Sequence, residues 1–375
     1  MPAFDEPAIA PPSAETRLAQ LALARSPRVG TVTFRRLVAT YGDPVRALER
    51  LPEHAARGGL RGYRPVDMDR VCAEIDHGAQ AGAELLLLGQ PGYPSALGEL
   101  GDAPVILWMR GRLPGPDRDA VGIVGARNSS ALGRRMATRL AQGLGALGYV
   151  TVSGLARGID TEVHAATLDT GTIAVMAGGI DTIYPAQNSD LAHAIVERGA
   201  LLTEAPPGLQ PAARHFPKRN RIIAGLSRAV LLVEAAERSG SLITARMALD
   251  QGREVMAVPG HPLDARAAGC NRLIREGATL VRDADDVAEA LSPPIRQDAF
   301  AEAACAPPVP PLAEQPMPDD LRTRLLDLIS PAPVAEDDLI RTLRVPPPQV
   351  LGLLLDMELA GLVDRHPGGF VARAV

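Results

Sequence analysis

Apolar and polar positions change their rhythm several times along the 375-residue chain. From Glu15 to about Asp76 the spacing is helical: Leu18, Leu21 and Val29 share one side, and Phe34, Leu37 and Val38 repeat the pattern, so residues 15–80 read as a small helical module. Between 83 and 291 short apolar runs alternate with amphipathic stretches: AVGIV (120–124), YVTVS (149–153), TIAVM (172–176), ALLT (200–203), AVLLVEA (229–235) and EVMAVP (254–259). Continuous apolar strands separated by helices predict a parallel sheet covered on both faces. After the first of them, Leu132, Met136, Leu140, Leu144 and Leu147 recur at three- and four-residue steps, as a helix with one buried face requires. Residues 1–14 are rich in proline and alanine and read as a flexible tail. The same composition over 292–318, with no apolar period, reads as a linker. In 319–375, LRTRLLDLI, AEDDLIRTL, PPQVLGLLLDMELAGLV and GGFVARA predict three helices and a short hairpin, the outline of a winged helix.

A chain of this length exceeds the ~250–300 residues that one core usually serves, which agrees with several domains. At 46% apolar and 22% charged residues it has the composition of a globular protein. Three cysteines, far apart and odd in number, give neither a disulfide framework nor a zinc pattern, so no metal is expected. The first residues lack a basic segment followed by an apolar one, and no run approaches the ~18 apolar residues of a membrane helix. A cytoplasmic protein without a membrane partner is the expectation.

Charge changes the picture more. The net charge is −5, yet residues 120–160 hold five arginines (Arg127, Arg134, Arg135, Arg139, Arg157) against Asp160 alone. Between Ala205 and Val233 there is no acid, while Arg214, Lys218, Arg219, Arg221 and Arg228 are all cationic. A local basic face on an acidic chain suits a polyanion, because each neutralised phosphate releases counterions. The winged-helix segment, with nine acids against six bases, does not share that character and reads better as a protein-contact or regulatory module.

Candidate chemistry gathers where strands are expected to end. AVGIV runs into Gly125-Ala126-Arg127-Asn128-Ser129-Ser130 and then a helix, a turn that can offer backbone N–H groups to an anion or can serve only to turn the chain. The next strand ends in Ser153-Gly154-Leu155-Ala156-Arg157-Gly158-Ile159-Asp160, and the two loops would share the crevice at the carboxyl edge of the sheet. FPKRNRII (216–223) supplies Phe216, Lys218, Arg219, Asn220 and Arg221, a stacking surface with phosphate-holding cations. The competing reading has Phe216 in the core and Arg219 and Arg221 paired with carboxylates. Asp160 and His164 stand four apart, as an acid–base pair or as a structural one. Ser239-Gly240-Ser241 is either another phosphate contact or a helix start. The turn RSPRVGTVTFRRL (25–37) is either a helix-hairpin-helix offering N–H groups to a phosphate or a plain bundle turn.

The segments IVGARNSSALG, VSGLARGIDTEVHAATL, TIAVMAGGIDTIYPAQN, LLTEAPPG, FPKRNRIIAGLS, VEAAERSGSLITARMALDQGREVMAVPG and GCNRLIREGA, from about Val121 to Ala278, resemble the DNA-processing protein A (DprA or Smf) family in the family's order. The resemblance implies a Rossmann-like DNA-binding α/β domain flanked by an N-terminal helical domain like a sterile alpha motif and a C-terminal winged helix. It implies a non-catalytic protein that binds and protects incoming single-stranded DNA in natural transformation and helps load the RecA recombinase. A homodimer through the Rossmann-like domain is also implied, and no cofactor. By position, Arg127 matches the family's turn arginine, and Arg214, Phe216, Lys218 and Arg219 fall in or beside its second basic element.

An enzyme of the Rossmann-like phosphoribohydrolase type is the alternative. Its PGGxGTxxE stretch is absent, ERSGSLITA standing nearest. A nicotinamide-dependent oxidoreductase fits less well, since Gly122, Gly125 and Gly133 do not make GxGxxG and Ser153 stands where a ribose-binding acid belongs.

Overall fold

The computed structural model describes residues 13–115, 118–292, 319–360, 362–366 and 369–374, which fall into two compact units divided within 293–318. The expected linker and most of the expected tail lie outside the described residues.

The first unit begins with four helices, α1 (Ala14–Arg25), α2 (Thr31–Tyr41), α3 (Pro44–Arg57) and α4 (Met68–Gln80). Ser13, Asp43 and Asp67 cap α1, α3 and α4 by accepting first-turn N–H groups, and Pro44 opens α3 where its missing N–H costs nothing. Their apolar faces bring Leu21, Leu23, Phe34, Leu37, Leu51 and Val71 together. The same core continues into Leu85, Ile106, Trp108, Met176 and Ile195 of the α/β part, so the helical module and the sheet share one interior.

The sheet has nine strands: β1 (Glu84–Leu87), β2 (Ile106–Gly111), β3 (Ala120–Val124), β4 (Val150–Ser153), β5 (Thr172–Val175), β6 (Ala200–Thr203), β7 (Ala229–Leu232), β8 (Glu254–Ala257) and β9 (Thr279–Leu280). Their order is β1-β2-β6-β5-β4-β3-β7-β8-β9. From β6 to β9 every pairing is parallel, whereas β2 joins β6 and β1 joins β2 antiparallel. The antiparallel edge, absent from the sequence reading, is where the helical module docks. Helices α5 (Ser95–Gly98), α6 (Ala131–Ala146), α7 (Ile159–Ala166), α8 (Ser189–Arg198), α9 (His215–Leu226), α10 (Ser241–Asp250), α11 (Ala268–Arg275) and α12 (Ala284–Leu291) complete the layers. This is the expected Rossmann-like α/β architecture.

The second unit holds α13 (Asp319–Leu328), β10 (Val334–Ala335), α14 (Glu336–Leu343), α15 (Pro347–Leu359), β11 (Val363–His366) and β12 (Phe370–Arg373). Leu325, Leu339, Leu343, Leu354, Met357 and Val371 form its core, over a sheet of order β10-β12-β11. Three helices against a small antiparallel sheet make the expected winged helix.

Candidate nucleic-acid interface

Strand order reverses between β3 and β7: β4, β5 and β6 lie to one side, β8 and β9 to the other. Loops leaving the carboxyl ends of β3 and β7 therefore part in opposite directions, and a crevice opens between them. A cleft of about 760 Å³ lies there, with Arg127, Phe216, Asn220, Arg238, Ser239 and Ser241 in its walls.

The turn after β3 supplies one wall unevenly. Arg127 and Asn128 are exposed and line the cleft with Gly125. Ser129 is buried and its Oγ has no hydrogen-bond partner. Ser130 caps α6, its Oγ accepting from the Gly133 N–H at 2.9 Å. Its own N–H and hydroxyl donate to the Glu234 carboxylate, at 2.9 and 2.5 Å. Glu234 follows β7, so this contact crosses the crevice, and a Cβ on Gly133 would collide with that carboxylate. The N-terminus of α6 already holds an anion of the protein's own. Any external phosphate on this turn must meet Arg127 and Asn128 rather than the Ser130 N–H.

The loop after β4 is held from within. Asp160 Oδ2 accepts from the N–H groups of Gly154 (3.1 Å) and Ala156 (3.3 Å). The Leu155 N–H donates to His164 Nε2 at 3.3 Å, which leaves the ring proton on Nδ1, 2.7 Å from Thr172 Oγ1. Asp160 and His164 are thus spent on orienting the loop, the structural alternative of the two. Burial pushes the Asp160 carboxyl up, with Arg219 opposing, and pushes His164 down to about 3. Ser153 is buried and donates to the Ile123 carbonyl at 2.6 Å. Gly158 stands at the start of α7, and Arg157, the loop's one cation, is exposed. No carboxylate pairs with Arg157 among the described residues.

FPKRNRII forms the first two turns of α9. Helical geometry splits its side chains between two faces. Phe216, Asn220 and Ile223, at i, i+4 and i+7, line the crevice, whereas His215, Lys218 and Ile222 line a separate cleft on the other side. Lys218 and Arg214 are exposed. Arg219 is 6% exposed, and its Nη1 donates to the carbonyls of Gly154 and Val175. Burial lowers its pKa to about 10, so the charge persists at neutral pH. A Cβ on Gly154 would strike this guanidinium, which makes glycine the fitting residue there. Arg221 donates to Glu204 Oε2 at 2.6 Å and to the Asp102 carbonyl. The run therefore gives one exposed cation, Lys218, with the exposed Arg214 just before it, and two cations committed to the fold.

Phe216 is half-buried, with the Arg127 guanidinium 4.7 Å above its ring centroid. Tyr184 meets it edge-on, centroids 5.9 Å apart, and is 53% exposed. Tyr184 and the cleft-lining Arg238 and Arg266 escaped the sequence reading. Arg238 stands beside the Ser239-Gly240-Ser241 turn, and Tyr184 closes the loop after TIAVM in a chain with few aromatics. Arg266 is paired with Asp264 at 3.1 Å. Ser239 and Ser241 share a hydroxyl contact of 2.7 Å at the start of α10, with Gly240 exposed between them. Among the described residues no cluster of three His, Cys, Asp or Glu could hold a metal ion, and no helix is long and apolar enough to cross a membrane.

Comparison with known proteins places these features. A family model described as DNA recombination-mediator protein A matches residues 84–292, one for a DprA-like N-terminal HHH domain matches 14–76, and one for a DprA winged helix domain matches 306–369. Protein Smf of Synechocystis is 32% identical over 385 aligned residues, covering 93% of this chain and 96% of its own. The crystal structure of DNA processing protein A from Streptococcus pneumoniae superposes with a TM-score of 0.58 at 33% identity, over 74% of this chain and 98% of that one. The protein of the same name from Helicobacter pylori, solved for its single-stranded DNA binding mode, gives 0.50 at 27% identity, over 56% and 95%. The first model alone covers more than half of the sequence, and the chain belongs to the DNA recombination-mediator protein A (DprA/Smf) family.

Proposed function

We propose that this chain binds single-stranded DNA in the crevice between β3 and β7, without catalysing a reaction on it. The observation that carries the reading is Arg127, exposed and without a carboxylate partner among the described residues, set over Phe216 at a cleft of about 760 Å³. Arg238 adds exposed charge in its wall, Arg157 and Arg214 are exposed next in sequence to the lining residues Ala156 and Ala213, and Tyr184 offers a face for a base, a contact worth ~1–3 kcal/mol where it occurs. Cations and rings carry no base preference, so binding is sequence-independent. The Helicobacter pylori relative, solved in connection with single-strand binding, supports the same ligand class. The non-catalytic reading is favoured by Asp160 and His164, whose acid–base capacity is used up on loop backbone.

In the cell the reading extends to a cytoplasmic homodimer that protects incoming strands during natural transformation and passes them to RecA. Two copies of the crevice on one strand would multiply affinity by raising the local concentration of the second site. The test is fluorescence anisotropy with labelled oligo-dT and the matched duplex across a salt series. The expected result is tighter single-strand binding, a steep salt slope, and loss of about tenfold or more in affinity with Arg127→Ala. Single-strand binding that is absent, or indifferent to Arg127, overturns the crevice as the DNA site.

A further inference from the structure

The other face of α9 borders a second cleft, of about 610 Å³, at the junction of the helical module and the sheet. Val105, Ile106, Met176 and Ile222 give it an apolar floor. Its rim holds the start of α2 (Gly30, Thr31, Thr33) and, from α9, His215, Lys218 and Arg221. Helix α2 differs from its neighbours in having no capping side chain: Gly30 stands at the N-cap, with no acid in the first turn. Its first N–H groups, which no helix satisfies internally, are left to an outside acceptor.

A second observation points to a ligand here. Arg219 also lines this cleft, is 6% exposed, and its Nε is buried without a hydrogen-bond partner. Of the four cations that line it, Arg25 is held by Glu74 at 2.7 Å, Arg221 by Glu204, and Arg219 by two backbone carbonyls through Nη1, which leaves Lys218 open. Lys218, the only lysine of the chain, has no carboxylate partner among the described residues. An apolar floor beside one open lysine and open helix N–H groups matches a nucleoside phosphate, its base on the floor and its phosphate between Lys218 and α2.

We infer that this junction cleft is a second nucleotide site, occupied by a unit of the same strand that fills the crevice between β3 and β7. Arg219 belongs to both walls, so the first turn of α9 is the ridge that the strand crosses. The inference rests on the single-strand reading above.

The test uses the full chain with oligo-dT of about 5 and about 20 nucleotides, short enough for one cleft and long enough for both. Gly30→Asp is the deciding variant. The space around Gly30 is open, and aspartate is a preferred N-cap, so the helix keeps its stability while its own carboxylate takes the N–H groups. The expected result is wild-type affinity for the short strand, an affinity about fivefold lower for the long one, and a salt slope reduced by about 0.7. Equal affinities for wild type and variant at both lengths, or equal losses at both, overturn the second site. Neither outcome touches the first cleft, which falls if single-strand binding is absent or if Arg127→Ala binds as wild type does. Deoxythymidine monophosphate separates the two sources of a nucleoside phosphate. Binding of the mononucleotide by wild type that Gly30→Asp abolishes, with long-strand affinity equal in the two proteins, assigns the cleft to a free nucleotide and overturns the strand as occupant, whereas no mononucleotide binding at millimolar levels together with the expected length-dependent loss supports the strand.

Discussion

Nη1 of Arg219 donates to the carbonyl of Val175 at 2.6 Å, so the most buried cation of the basic run ties α9 to the end of β5. The same nitrogen reaches Gly154, and Asp160 lies close enough to raise the guanidinium's pKa against burial. Arg219→Ala takes a buried charged donor away from the carbonyls of Gly154 and Val175. Hydrogen bonds to a charged group are worth about 1.5–3 kcal/mol each, so a loss of that order or more is expected. Lys218→Ala, one residue earlier but exposed, changes stability by no more than about 0.5 kcal/mol. Urea unfolding of both variants decides the matter, and an Arg219→Ala protein as stable as wild type would refute the structural role.

Arg127 and Phe216 are expected to act as a unit. A cation over a ring at an exposed site is worth about 0.5–1 kcal/mol, and about 2 kcal/mol once a ligand excludes water. Arg127→Ala, Phe216→Leu and the double variant close a cycle whose coupling in oligo-dT binding exceeds the coupling in stability. Additive losses in binding would mean that the ring does not position the guanidinium for DNA.

Much of the architecture was legible because the strands obey a local rule. The six apolar runs became β3 to β8, each buried along most of its length, and the glycine turns fell at their carboxyl ends. On α6, Leu140 and Leu144 are fully buried as the spacing implied, but Leu132 and Leu147 are 68% and 48% exposed, because the stripe ran past the face that meets the sheet. Strands β1 and β2 leave no periodic mark because their place depends on antiparallel pairing, β2 with β6 and β1 with β2. The start of α9 carries no helical signal because Pro217 and several cations crowd it. Proline is tolerated there, since first-turn N–H groups have no partner within the helix. Which arginine turns inward depends on carbonyls 44 and 65 residues away, and the anion on α6 comes from a residue 104 positions distant. Such long-range pairings carry no signal in a charge count.

His164 makes the pH dependence of folding testable. Its Nε2 accepts the Leu155 N–H, so protonation would break that bond and place a charge in a dry interior, which is why burial holds its pKa near 3 against an ordinary value of about 6.5. Between those values the unfolded chain binds a proton that the folded chain refuses. The contribution of this histidine is fully present above the unfolded pKa and shrinks as pH falls through the window, by about 1.4 kcal/mol per pH unit well below 6.5. Asp160 acts in the opposite sense, since its raised pKa lets the folded state take up a proton first. His164→Gln deletes one term and leaves the other. In urea unfolding between about pH 5 and 8, the variant should be less stable than wild type at the alkaline end, and its stability should fall less steeply toward acid. Parallel curves for the two proteins would show that His164 titrates alike folded and unfolded, and that the loop after β4 is not closed over it.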